Sequence, residues 1–133
     1  MEPTGIVPQV DVEPGLSGRA TLVVGEHDTA IALGSGSVPV LATPRVVALC
    51  EAATCAALEG RLSEGSTSVG VRVSLDHLRP TPVGGEVSAI ATVAEVAGRR
   101  ITFEVRAEDA SGSIATGLVE RVVVDVTRFL SSL

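Results

Sequence analysis

Tryptophan and tyrosine are absent from this 133-residue chain, and only two phenylalanines occur. Aromatic stacking on bases or sugars is therefore excluded as a binding mechanism. No stretch approaches the roughly 18 consecutive apolar residues of a membrane-spanning helix. Met1 to Val12 carries Glu2 and Asp11 without a basic run, so no targeting segment is expected. Basic residues are scattered in a chain of formal charge −6, which leaves no electrostatic footprint for nucleic acid or an anionic membrane. A soluble, cytoplasmic protein with neither of these partners is the expectation. Cysteine is equally scarce: Cys50 and Cys55 lie in one helical stretch, turned about 140° apart at roughly 100° per residue. They should not bridge, and with two distant histidines they match no zinc pattern. Two buried apolar thiols and no metal are expected.

What is present is a chain of a size suited to one domain, residues 1–133. A Pro-containing arm (1–15) precedes a loosely alternating strand from Leu16 to Val24. Residues 25–40 include Gly34, Ser35, Gly36, Ser37 and Pro39, turn formers that suit a loop or lid. Thr43-Pro44 reads as a helix start, with the Thr oxygen capping free amides and Pro in the first turn. The helix should run over 43–62. Its apolar residues wrap most of the circumference, interrupted by Glu51 and Thr54, as in a buried helix. Its small residues would permit close approach to a sheet. Strand patterns follow at Thr67 to Leu78, Glu86 to Ala97, Arg100 to Glu108 and Ser113 to Val126, with hairpin signals at Gly98-Arg99-Arg100 and Asp109 to Gly112. One apolar helix and one antiparallel sheet make a two-layer α+β domain. The simplest arrangement wraps the sheet around the central helix, which is the hot-dog fold.

Chemistry is concentrated in few places. His77 ends the alternating row Val71, Val73, Leu75 and so falls on the apolar face of its strand, opposite Arg72, Ser74 and Asp76. Glu51 lies eight residues beyond Thr43 on the helix, about two turns along and roughly 80° around. Thr43, Glu51 and His77 could therefore approach a common space. Each has another reading: Thr43 as a plain cap, Glu51 as a satisfied buried acid or interface residue, His77 as a hydrogen-bonded core residue. His27, between Glu26 and Asp28, reads as a solvated loop residue.

The stretches Leu41-Ala42-Thr43-Pro44 through Cys50-Glu51-Ala52-Ala53, Ser68-Val69-Gly70-Val71 through Asp76-His77, Gly98-Arg99-Arg100 and Gly117 to Arg121 resemble the hot-dog thioesterases similar to fluoroacetyl-CoA thioesterase. The resemblance covers about two thirds of the chain, from near Pro39 to Phe129. It implies hydrolysis of an acyl-CoA thioester by a homodimer with active sites at the subunit interface and no metal or other cofactor. It makes Thr43, Glu51 and His77 the catalytic residues, and sets Gly70 near the acyl group, where its missing side chain leaves room. The fluoroacetyl-specific enzyme has an aromatic lid residue before a Pro; here Val38 precedes Pro39, which implies a small or medium acyl group without fluoroacetate selectivity. Arg45, Arg79 and Arg121 read as ordinary surface ion-pair partners, and no CoA ligand is assigned. The alternatives are a hot-dog enzyme of another thioester reaction, such as enoyl-CoA hydration, a non-catalytic acyl-thioester binding module, and a plain structural dimer.

Overall fold

The computed structural model describes residues 10–133, so the first nine residues of the expected 1–15 arm lie outside the described residues. The chain runs β1 (Ser17–Val23), a 3-10 turn (Glu26–Asp28), α1 (Ala30–Leu33), α2 (Thr43–Leu58), β2 (Ser66–His77), β3 (Glu86–Ala97), β4 (Arg100–Asp109), β5 (Gly112–Asp125) and α3 (Val126–Ser131). The strands form one antiparallel sheet in the order β1-β3-β4-β5-β2, with α2 packed on one face. This is the expected two-layer α+β arrangement. Among the described residues no helix is long and apolar enough to cross a membrane.

Period-two alternation places the core. Val87, Ala89, Ala91 and Val93 of β3, Ile101, Phe103, Val105 and Ala107 of β4, and Ala115, Val119 and Val123 of β5 are buried. They form one cluster with Val46, Leu49, Cys50, Ala53, Ala57 and Leu58 of α2. Small residues set the separation of the layers. Ala20, Ala89, Ala107, Ala115 and His77 are successive cross-strand partners over all five strands, so a row of methyl groups ends in an imidazole. At Gly18 the sheet meets the helix backbone, where a Cβ would stand 2.6 Å from the Ala53 carbonyl oxygen.

Several expectations are corrected. The helix stops at Leu58 rather than 62, because Glu59 leaves helical geometry and Gly60 turns the chain at φ +75°. It is not buried all round: Ala48, Ala52, Cys55 and Ala56 are exposed on one side. Of the two free thiols, only Cys50 is buried, and burial pushes it up to about 11. The final strand ends at Asp125, whose side chain accepts the Arg128 amide and starts the unexpected α3.

The row Val71, Val73, Leu75 and His77 also differs from the simple alternation. Among the described residues β2 is a sheet edge bonded only to β5, and its register slips between Gly70 and Arg72. Val71 is the extra residue of that bulge. Beyond it Val73, Leu75 and His77 pair with Val119, Gly117 and Ala115, on the helix side. Before it Gly70 pairs with Arg121, on the same side. Val71 and Val73 are 49% and 37% exposed, since no strand among the described residues covers this edge.

Gly18→Ala should lower the urea midpoint through a loss of about 1–3 kcal/mol, the usual cost of overpacking. An unchanged midpoint would show that the helix can lift from β1 freely.

Candidate active site

The first turn of α2 carries Thr43. The N-cap is Ala42, which has no side chain to cap with, and Thr43 is the first helical residue with Pro44 behind it. The expectation that the Thr43 oxygen caps the helix is thus corrected. Its hydroxyl reaches across to the last residue of β2, with Oγ1 2.7 Å from His77 Nδ1. Two chain-distant residues meet because the alanine row lets the helix start lie low over the end of the sheet.

The other ring nitrogen, His77 Nε2, is buried and has no hydrogen-bond partner among the described residues. Burial holds the His77 pKa below its ordinary value, partly opposed by the nearby Arg79 backbone. The ring is therefore neutral at pH 7. With Nδ1 accepting from Thr43, Nε2 carries the proton; with Nδ1 donating, Nε2 presents a lone pair. In both tautomers Nε2 is the ring position left without a partner among the described residues.

Thr43 and His77 border a depression of about 290 Å³ whose other walls include Ala30, Val38, Leu41 and Leu78. Val38 thus lines the space beside the pair, and the loop carrying it forms one wall. Asp76 and His27 are exposed, as the sequence implied.

Glu51 is placed elsewhere. Its Oε2 lies 3.5 Å from Arg121 Nη1. Arg121, only 7% exposed, also donates from Nε to Ser68 Oγ at 2.8 Å and from Nη2 to the Ser68 carbonyl at 3.0 Å. A Cβ at Gly70 would collide with the Glu51 carboxylate. The room left by Gly70 is filled by Glu51, so this glycine acts on the acid directly. His77 lies seven positions beyond Gly70 along the strand, about 20 Å at the usual rise. Within one chain Glu51 therefore does not join Thr43 and His77.

Sequence reasoning missed Arg121, taking it for a surface cation. Strand parity was the available signal, because Ala115, Gly117, Val119 and Val123 all face α2 and residue 121 shares their parity. Arg45 is the ion-pair partner the sequence suggested, but the carboxylate it meets is buried: its Nε lies 3.0 Å from Oδ1 of Asp28. Arg79 is exposed and donates to the Ser111 carbonyl.

Because the folded pKa of His77 lies below about 6.5, the unfolded chain takes up its proton first on acidification. Its contribution to stability is complete above the unfolded value and lost as pH falls through the folded one. Between pH 7.5 and 5 the wild type should lose more stability in urea titrations than His77→Gln. Parallel losses would contradict the buried neutral ring.

The family model for the fluoroacetyl-CoA-specific thioesterase FlK matches residues 24–127. The fluoroacetyl-CoA thioesterase of Streptantibioticus cattleyicolor is 34% identical over 90 residues, 68% of this chain and 65% of that protein, slightly under two thirds of its length. A crystal structure of a variant of FlK in complex with fluoroacetate and CoA superposes with a TM-score of 0.83 at 31% identity, over 89% of this chain and 99% of that one. A hot-dog-like protein from Thermanaerovibrio acidaminovorans superposes at 0.83 and 28% identity, over 99% and 94%. The chain belongs to the fluoroacetyl-CoA-specific thioesterase family and has the hot-dog fold.

Proposed function

We propose, with that membership as premise, that the protein is an acyl-CoA thioesterase that hydrolyses a small or medium acyl-CoA to the free acid and CoA. The observation that carries this reading is the Thr43–His77 hydrogen bond beside an open depression with apolar walls. A thioester carbonyl seated there would meet the Thr43 hydroxyl and the positive end of α2, both suited to a developing oxyanion. His77, neutral at pH 7, orients or deprotonates water through Nε2, or in the other tautomer protonates the departing thiolate. Glu51 serves as nucleophile, giving an anhydride that water cleaves, or as the base for water. Val38 and the loop around it border the acyl group, and the size of the depression fits a short chain.

Glu51 can act only if a second protomer supplies it. The exposed edge of β2, with Val71 and Val73 uncovered, and the exposed side of α2 support a homodimer. Antiparallel pairing of two β2 edges about a two-fold axis near residues 73 and 74 sets the Gly70 end of one strand beside the His77 end of the other. Glu51 of one protomer then faces Thr43 and His77 of its partner, at an interfacial active site. This reading takes the setting to be cytoplasmic, where the acyl-CoA substrate would be met.

Sedimentation should show a dimer, and a stable monomer would remove the composite site. Thiol release should be observed from a panel running from acetyl-CoA to octanoyl-CoA with fluoroacetyl-CoA included. His77→Ala and Glu51→Gln should each lower turnover by about 10² to 10⁴ while remaining folded. Binding without release would indicate a non-catalytic module. Loss of a conjugated double bond from an enoyl-CoA would indicate a hydratase.

A further inference from the structure

Asp28 is a buried carboxylate in the loop segment, 3% exposed, and a group of this kind persists only when its oxygens are satisfied. Both are. Oδ2 accepts the Gly25 amide at 2.8 Å, and Oδ1 lies 3.0 Å from Arg45 Nε. The Gly25 amide above all, helped by the Arg45 guanidinium and the nearby His27, holds the carboxyl below its usual range against the opposing effect of burial. The backbone of the same residue is also engaged, its carbonyl accepting the Ala42 amide at 2.9 Å.

These contacts bracket one position. Ala42 and Arg45 flank Thr43 and Pro44, so the main chain and the side chain of Asp28 grip the first turn of α2 on both sides of Thr43. The chain leaving Asp28 runs directly into a wall of the depression. Thr29 Oγ1 accepts the Ala32 amide to start α1, Ala30 donates to the Val40 carbonyl at 2.9 Å, and Ala30 and Val38 border the space beside His77. One residue thus joins the loop wall to the helix turn that carries the hydroxyl.

We propose that Asp28, through its ion pair with Arg45 and its carbonyl bond to the Ala42 amide, is a positioning residue that fixes the Thr43 hydroxyl against His77. Its catalytic consequence rests on the thioesterase reading; its geometric consequence does not. Asp28 touches no reacting atom and acts through Thr43. A misplacement of the hydroxyl by about 1 Å is enough to lower turnover by up to 10²-fold.

A double-mutant cycle tests this. Asp28→Asn keeps the size of the side chain and removes its charge, and Arg45→Met breaks the same pair from the less buried partner, should the first variant fold poorly. In the wild-type background each should lower kcat by about ten- to a hundredfold with KM little changed. In a Thr43→Ala background each should have less than about twofold effect, because the group being positioned is gone. Arg45→Lys, which retains a cationic donor toward Asp28, should recover most of the loss. In parallel, the ¹⁵N ring signals of His77 in Asp28→Asn and Arg45→Met should move toward those of Thr43→Ala. Equal losses in both backgrounds, or His77 signals left at their wild-type positions, would overturn the proposal. If the wild type releases thiol from no acyl-CoA, the thioesterase reading fails and the His77 signals alone decide whether Asp28 positions Thr43.

Discussion

Everything in this fold depends on how closely the long helix lies against the sheet. Side chains of ordinary size on both layers would hold them about 10 Å apart. Here Gly18 meets the helix backbone at Ala53 and Ala57, and a row of four alanines crosses the sheet beneath the helix start. The close approach excludes water from Thr54, whose hydroxyl must turn back to the Glu51 carbonyl at 2.6 Å. It also brings a short Thr side chain within reach of a histidine on the outermost strand.

The helix therefore has two polar stations at different heights, each paired with a different end of β2. At one, a hydroxyl meets a neutral imidazole; at the other, a half-exposed carboxylate meets a guanidinium clamped by Ser68. Each station is chemically incomplete by itself. The first lacks a charged group, and the second lacks a hydroxyl paired with an imidazole. Both face the side of α2 and the edge of β2 that the chain leaves uncovered. That is why the oligomeric state and the chemistry are a single question for this protein.

Much of this was legible in the residues. Alternation locates β3 to its last residue, Gly98 and the Ala110-Ser111 tip mark the two hairpins, and the residue pattern singles out Thr43 and His77, which the fold brings into contact. What was not legible turns on neighbours that a sequence does not name. Val71, Val73 and Cys55 have the chemistry of core residues, and only the strand order shows that an edge and an uncovered helix side leave them exposed. Arg121 has the chemistry of a surface residue, and only the Ser68 and Glu51 partners let it be buried. Thr43 looked like a cap because Thr-Pro at a helix start usually is one; the register of β2 put a better partner in front of it.

The bulge at Val71 has a consequence of its own. Gly70 and His77 are an odd number of residues apart, and a regular strand would send them to opposite faces. The one extra residue restores their common side, so that both the carboxylate niche and the imidazole open toward the helix. Between these two positions β2 behaves like a reading frame. Exchanging one side chain for another there disturbs a contact, whereas adding or deleting a single residue turns one of the two stations outward. The strand can vary in composition along this segment far more readily than in length.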